Sequence, residues 1–519
     1  MVWRIDDPQG NEAGKVKYDI VRYTRGRGLD LGCGPHKAFP HFIGVDSGKD
    51  TELFGIQMKP DIVVPDCSKL DMFADESMDF IFSSHLLEHI EDYASALEEW
   101  CRVVKHGGYM CLYLPDEDEY PKVGEEGANP DHKWNVSYDK VMAAMPGTWQ
   151  LVKFEKRNDG TEYSLLFVFK NRGHGFHREL WKEEPLPKKT ACVVRYGGFG
   201  DMIQTANILP ELKRQGYHVT VMTTPNGEEI LRHDPHIDEF FIQDKEQVPN
   251  LELGAFWECQ KKHYDKWINL SESIEGTLLA LPGRPNFYWS NEVRAKRLNL
   301  NYGEWTAELA GLPYKSEQKF YPHSEERAQA AKLLDKDYIN ILWCLTGSSV
   351  HKAYPWTDSV IARLMLEMNN ARVIFVGDMS CQLLERGWEK EPRVVRKSGE
   401  LSIRETLTLA TMCDVVVGAE TGVLNAVAFE RDVAKVIFLS HSTEENLTKH
   451  WERTVALRAK PDASVKPCGL KACHQMHYTR EHCAIDEETH ASMCMRDIDP
   501  AKVFDAIKGV AWRKMRRAA

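Results

Sequence analysis

Short apolar runs alternate with polar and helix-patterned stretches from residue 27 to 170, the layout of a parallel sheet covered by helices. Gly28–Leu31, Phe42–Val45, Ile62–Val64, Phe80–Phe82, Tyr109–Leu114, Trp149–Phe154 and Tyr163–Phe169 read as strands, and a helix is expected over Glu91–Val104. Asn158-Asp159-Gly160 between the last two runs is a hairpin signal, so this sheet should end in an antiparallel pair. The stretch Asn171–Lys189 is polar, contains prolines and keeps no period, as an interdomain linker does.

A new alternation opens at residue 190. Strand Ala191–Val194 runs into a glycine loop, then a helix with Met202, Ala206, Leu209 and Leu212 on one face that stops at Gly216, then strand His218–Met222. Another series begins at Tyr338–Cys344 and continues through Val373–Val376 and Val415–Val417. Two successive doubly wound halves predict a bilobal enzyme with a cleft between its lobes. The fold class expected is therefore α/β with three doubly wound units: residues 1–172, a linker at 173–189, a lobe at 190–325 and a lobe at 326–519.

Composition narrows the picture further. The 519 residues leave room for two or three domains. Sequence repeats of fixed period are missing, which argues against a solenoid, and no apolar run is long enough to cross a bilayer. The start MVWRIDDPQGNEAGK lacks the basic-then-apolar layout of a secretion signal, which predicts a reducing, cytoplasmic setting. The sequons at Asn135, Asn269 and Asn446 then carry no meaning, and the 13 cysteines are expected mainly as core thiols, as in Ala191-Cys192-Val193-Val194. Cys468, Cys473, Cys483 and Cys494, with His474 and His477, lack paired C-x-x-C spacing, so no metal site is expected there or elsewhere. A net charge of -12 repels a phosphate backbone and disfavours nucleic acid as partner. The basic tail Trp512–Arg517 is the candidate for peripheral contact with an anionic lipid surface.

The first candidate site is Gly28-Leu29-Asp30-Leu31-Gly32-Cys33-Gly34, an apolar strand entering a glycine turn whose N–H groups can approach a ligand. Asp46 and Asp66 follow the next two strands, where carboxylates can accept bonds from a ribose diol or an adenine amine. LDLGCG, GVD, MDFIFSSHLLEHI and HGGYMCLYLP together resemble the class I S-adenosylmethionine-dependent methyltransferases over about residues 27–170. The resemblance implies that Asp30, Gly32 and Gly34 line the methionine moiety, Asp46 holds the ribose, Asp66 flanks the adenine, and Ser83-Ser84 close the pocket. Too few residues separate Gly34 from Phe42 for the usual crossover helix, so the loop is tight or the helix is lost. Candidate bases for methyl transfer are His85, His89 and His132, with His89 the expected catalytic residue; His89 could equally cap or pack at the start of the helix that follows.

The second candidate site starts from Arg195-Tyr196-Gly197-Gly198-Phe199-Gly200-Asp201, a glycine loop with a carboxylate at the helix start, where Asp201 could also act as a plain cap. Gly347-Ser348-Ser349 follows a buried strand, with Lys352 and Trp356 just after, and Gly418-Ala419-Glu420-Thr421-Gly422 follows another. Hydroxyls, amides and an ammonium at strand ends suit a diphosphate. GDMIQTANILPELK, GSSVHKAYPW, VGD at Val376–Asp378, LSIRETLTLATMCDVVVGAETG and CMRDIDPAKVFDAI resemble the ADP-heptose:lipopolysaccharide heptosyltransferases, inverting enzymes of GT-B fold, over roughly residues 190–510. The resemblance implies that Asp201 is the general base and that the donor, an ADP-sugar or other nucleotide sugar, is bound by Gly198, Gly200, Gly347, Ser348, Ser349, Lys352, Glu420, Thr421, Gly422 and Asn425, without a metal. Glu420 and Asn425 replace the aspartate and histidine usual in the family, which leaves the sugar open. The segment Trp267–Ser273, a strand followed by polar residues, either faces the cleft or forms a solvated loop.

The expected function is bifunctional: transfer of a sugar to a glycan or glycolipid acceptor, and methylation of a sugar or related small group using S-adenosylmethionine. Two other readings compete. One is modification of nucleic-acid bases, as in phage, by sugar and methyl transfer; the other is a glycosyltransferase whose methyltransferase-like domain only binds.

Overall fold

Strand β1 (Gly28–Leu31) is buried at every residue, as a central parallel strand must be when both faces of its sheet are covered. The computed structural model describes residues 11–48, 52–53, 56–57, 59–159, 162–181, 187–271, 288–290, 293, 299–347, 352–440, 442–459 and 485–518, with side chains of 52–53, 56 and 512–518 excepted. Two compact units emerge, Met1–Pro187 with Ile242–Tyr264, and Lys188–Phe241 with Asp265–Ala519. Ile242–Tyr264 thus groups with the first unit, although its place in the chain falls within the stretch read as the lobe 190–325. Gln247 donates to the Val21 and Thr24 carbonyls at 2.7 and 3.0 Å, and Gln260 to that of Tyr18 at 2.8 Å.

In the first unit β1 is followed by β2 (Ile43–Asp46), β3 (Ile62–Val63), β4 (Met78–Ser84), β5 (Val104–Pro115), β6 (Trp149–Arg157) and β7 (Ser164–Asn171). Their order across the sheet is β3-β2-β1-β4-β5-β7-β6, parallel except for β7, which runs against both of its neighbours. The expected antiparallel ending is present. The helix after β4 covers Tyr93–Val103, beginning two residues later than its pattern suggested because Asp92 caps it, accepting from the Ser95 N–H at 3.1 Å. Between β1 and β2 there is no helix. Phe39 and Phe42 fill that layer instead, their rings 5.7 Å apart and Phe42 4.7 Å from Phe80.

The second unit contains two sheets. The smaller has β8 (Thr190–Val194), β9 (His218–Thr223), β10 (Glu239–Ile242) and β11 (Lys266–Asn269) in the order β10-β9-β8-β11. The larger has β12 (Ile339–Cys344), β13 (Ala371–Val376), β14 (Val394–Arg396), β15 (Val415–Ala419), β16 (Ala434–Leu439) and β17 (Thr454–Arg458), all parallel, in the order β14-β13-β12-β15-β16-β17. Strand order therefore reverses between β8 and β11 and again between β12 and β15, and ligands of such sheets bind outside the carboxyl ends at those points. Leu407 and Ala426 of the larger lobe join the core of the smaller one, giving the two-lobed GT-B layout. The Tyr354 hydroxyl and Trp356 indole donate to the carbonyls of Ile498 and Arg496 at 2.9 and 2.8 Å, tying the segment after β12 to the chain just before the helix Pro500–Ala518. Among the described residues all cysteines are free thiols, and no helix is long and apolar enough to cross a membrane. Cys468, Cys473, Cys483, His474 and His477 lie outside the described residues.

Candidate functional site

Two sets of strand ends carry the candidate residues. In the first unit the turn after β1 holds Gly32 at φ +69° and Gly34 at φ +52°, a left-handed region that penalises any side chain. A Cβ on Gly32 would lie 2.9 Å from Leu86, whereas around Gly34 nothing comes within 4 Å. The turn is thus packed on one side and open on the other. The Gly34 N–H donates to Asp46 Oδ2 at 3.0 Å, so the carboxylate ending β2 closes the loop. Asp30 is 1 % exposed and accepts from the Ala38 N–H at 2.8 Å. Burial pushes its carboxyl up to about 7, against the pull of the Ala38 N–H and nearby Lys37. Ser83, beside Leu31 in the β1–β4 register, has a buried hydroxyl with no hydrogen bond among the described residues. Asp30, Gly32, Gly34, Asp46 and Ser83 therefore gather at the ends of β1, β2 and β4. Asp66 is exposed and accepts from the Ser68 N–H at 2.8 Å, closing its own turn.

His89 does not cap the following helix, since Asp92 does. It ends the turn Leu87–His89, and its ring meets that of His132 edge-on at 4.8 Å. Glu88, which no motif singled out, lies fully buried between these histidines and His85.

In the second unit a cavity of about 540 Å³ opens at the reversal between β12 and β15, and Asp201, Lys352 and Thr421 all line it. Gly198, Gly200, Gly347, Glu420, Gly422 and Asn425 line it too; Ser348 and Ser349 lie outside the described residues. The starts of the helices Phe199–Thr205 and Gly422–Ala426 meet glycine to glycine. A Cβ on Gly422 would stand 2.9 Å from Phe199 Cβ and 3.1 Å from the Gly200 nitrogen. Gln204 donates to Asn425 Oδ1 across this contact at 3.2 Å, and Asn425 donates to the Thr421 carbonyl at 3.0 Å.

Gly198, not Asp201, is the cap residue of its helix; Asp201 reaches back and accepts from the Gly198 N–H at 2.9 Å. Its other oxygen is 3.3 Å from the guanidinium of Arg195, a residue only 1 % exposed. Arg195 is a contributor that spacing alone did not single out; its one signal was a charge ending an apolar strand. Its guanidinium also donates to the carbonyls of Leu270 and Ser271 at 3.2 and 3.3 Å. Ser271 lies in the polar stretch after β11, and its hydroxyl accepts from the Tyr196 N–H at 2.6 Å, which fixes the glycine loop; residues 272–273 lie outside the described residues.

Lys352 donates to the Glu420 carbonyl at 2.8 Å. Burial lowers its pKa below the ordinary lysine value, while Glu420 and Asp201 push it back up. The Glu420 carboxylate accepts from the Ser440 N–H and hydroxyl, each at 2.8 Å, and from the Ser442 N–H at 3.0 Å. It fastens the loop after β16 to the cavity wall. Asp378, at the end of β13, lines the same cavity and caps the following turn through the Ser380 N–H at 2.9 Å.

Likenesses among solved structures include a glycosyl transferase family 9 protein from Veillonella parvula, 14% identical, covering 64% of this chain and 99% of that one with a TM-score of 0.45. They also include the ADP-heptose lps heptosyltransferase II of E. coli, 15% identical, covering 63% and 99% with a TM-score of 0.44. A SAM dependent methyltransferase from Archaeoglobus fulgidus, 17% identical, covers 30% of this chain and 94% of that one with a TM-score of 0.23. An uncharacterized protein of Methanocaldococcus jannaschii is 36% identical over 100 residues, which are 18% of this chain and 48% of that protein. The chain thus spans about half the length of the curated relative it matches. Residues 29–112, from β1 into β5, match the family model described as Methyltransferase domain, and they are the part of the chain that this family accounts for.

Proposed function

We propose that the second unit transfers a sugar from a nucleotide donor to a hydroxyl of a glycan or glycolipid, with inversion and without a metal. The first unit then methylates a sugar or related small group. The reading rests on one observation above all: Asp201, Lys352 and Thr421 line a single cavity where strand order reverses. The Asp201 carboxylate takes the proton of the acceptor hydroxyl as that oxygen bonds to the anomeric carbon from the face opposite the leaving group. The bond from that carbon to the diphosphate breaks in the same displacement, which inverts the centre. Lys352 and the Thr421–Gly422 backbone meet the charge that builds on the departing diphosphate.

In the first unit the open side of Gly34, the Ser83 hydroxyl that has no hydrogen bond among the described residues, and the buried Asp30 carboxyl, raised to about 7, suit a nucleoside carrying a cationic amino acid. S-adenosylmethionine supplies an electrophilic methyl on a sulfonium. The protein's own part is to bind and orient, with Asp46 holding the ribose and Asp30 the ammonium side.

The deciding experiment is a thermal-shift panel of S-adenosylmethionine and nucleotide sugars on the full chain. A rise with one nucleotide names the donor base; no rise with any nucleotide sugar removes the glycosyltransferase reading. Asp46→Ala is expected to weaken S-adenosylmethionine about 10- to 100-fold, the size of a lost charge-assisted hydrogen bond, and an unaltered Kd would refute that pocket. Affinity should also depend on pH. A cationic ligand selects the ionised Asp30, whose free carboxyl sits at about 7, so binding tightens as pH rises toward that value and levels off above it. Asp30→Asn should bind more weakly and flatten the profile, as titration calorimetry at several pH values would show.

A further inference from the structure

We propose that Glu88, His89 and His132 form a binding site for a divalent first-row metal ion at the carboxyl end of β4. The starting point is electrostatic. Glu88 is 0 % exposed, and neither of its carboxylate oxygens makes a hydrogen bond among the described residues. A buried carboxylate in that state costs several kcal/mol unless a cation compensates it. Among the described residues its ion-pair neighbours are histidines: His85 Nδ1 stands 3.4 Å from Glu88 Oε1 and His132 Nε2 stands 3.9 Å from the same atom, both beyond good hydrogen-bonding distance.

Two imidazoles and one carboxylate are a ligand set suited to zinc, cobalt, manganese or iron rather than to calcium or magnesium. One ligand atom from each of Glu88, His89 and His132 falls within 4.8 Å of the other two. Around a tetrahedral ion with bonds of about 2.1 Å such atoms lie about 3.4 Å apart, so modest side-chain rotations would close the shell. The framework that presents them is fixed by local bonds. Glu88 and His89 share the turn Leu87–His89, and the loop carrying His132 is pinned to that turn by Lys133 N–H donating to the Glu88 carbonyl at 2.8 Å. Trp134 Nε1 adds a bond to the Leu87 carbonyl at 3.0 Å. Tyr93 stacks on Trp134 at 3.7 Å, and His85 Nε2 is held by the Ser164 hydroxyl at 3.0 Å. Three protein ligands leave a coordination position free, the make-up of a site that can engage a further oxygen. In this assignment His89 is a ligand and not the base for methyl transfer.

The test uses the untagged full chain, stripped with a chelator and titrated with Co²⁺ while visible absorption and melting temperature are followed. One Co²⁺ per chain is expected, with d–d bands of a nitrogen and oxygen shell and a rise in Tm. Glu88→Gln and His132→Gln should each weaken Co²⁺ by at least about 100-fold, the upper end of what losing even an outer partner of a metal site costs. His323→Gln, in the His233–His323 ring pair of the second unit, should leave Co²⁺ binding unchanged. Glu88→Gln also removes the buried charge, so its Tm in chelator should match or exceed that of the parent, which separates metal loss from misfolding. Absence of saturable binding, or binding that survives both Glu88→Gln and His132→Gln, would overturn the site. So would equal loss in His323→Gln.

Discussion

Asp201→Asn should lower kcat for glycosyl transfer by about 10²–10⁴-fold, the range for removing a general base, while donor affinity stays unchanged. Asparagine keeps the shape and can still accept from the Gly198 N–H, the bond that Asp201 now makes at 2.9 Å. It cannot take a proton from the acceptor. Were Asp201 only closing its helix, the loss would be one of stability, about 0.5–2 kcal/mol for a cap, with turnover nearly intact. Initial rates and melting curves on the same preparation separate the two roles. Removing the charge also leaves Arg195 without the carboxylate 3.3 Å from its guanidinium, so Asp201→Ala should melt at a lower temperature than Asp201→Asn. Full activity in Asp201→Asn would take the base away from the mechanism and return the residue to helix capping.

How much of this could be read before any coordinates differs between backbone and side chains. The strands of the first unit's seven-stranded sheet were legible as short apolar runs bounded by glycine and polar residues, whereas the short antiparallel pair Glu52–Leu53 and Ile56–Gln57 was not. The missing helix between β1 and β2 followed from loop length alone; that Phe39 and Phe42 would fill its layer did not, since two aromatics in a loop carry no period. The grouping of Ile242–Tyr264 with the first unit was invisible for a similar reason. Its partners, Tyr18, Val21 and Thr24, are far away in sequence, and hydrogen bonds from Gln247 and Gln260 to their carbonyls leave no pattern. Motif order placed Asp201, Lys352 and Thr421 on loops that line one cavity, yet no motif gave Arg195 or Glu88 a role. Both are charged residues buried at strand ends, and burial of a charge is decided by tertiary packing, not by local propensity. Glu420 shows the same limit from the other direction: its place in a phosphate-like loop was plain, but its carboxylate is engaged by Ser440 and Ser442.

Lys352→Met should reduce kcat/KM for glycosyl transfer by about 10²–10³-fold, the range for deleting one preorganised donor to a developing anion. A unit charge pair 4 Å apart at an effective dielectric of about 20 is worth about 4 kcal/mol, and about 1.4 kcal/mol is tenfold, so the size is physically consistent. Methionine reproduces the stem that packs over Gly347, where a Cβ would meet Lys352 Cδ at 2.7 Å. What disappears is the ammonium and its bond to the Glu420 carbonyl. Because burial already lowers the lysine's pKa, taking away its charge should leave Tm unchanged or raise it. A merely structural lysine would instead lower Tm and spare the rate. The pH profile adds a second readout. A depressed ammonium pKa means that activity of the parent declines at lower pH than an ordinary lysine would allow, as the ammonium deprotonates on the alkaline side. Lys352→Met has no ammonium to lose and should lack that limb. Part of the loss should appear in KM, since the donor's ground-state diphosphate carries charge as well, but kcat must fall too: charge on the leaving group grows along the displacement, and only the stronger interaction in the transition state accelerates it. A rise in KM with kcat intact would place Lys352 in donor binding alone and assign the leaving group's stabilisation to the Thr421–Gly422 backbone.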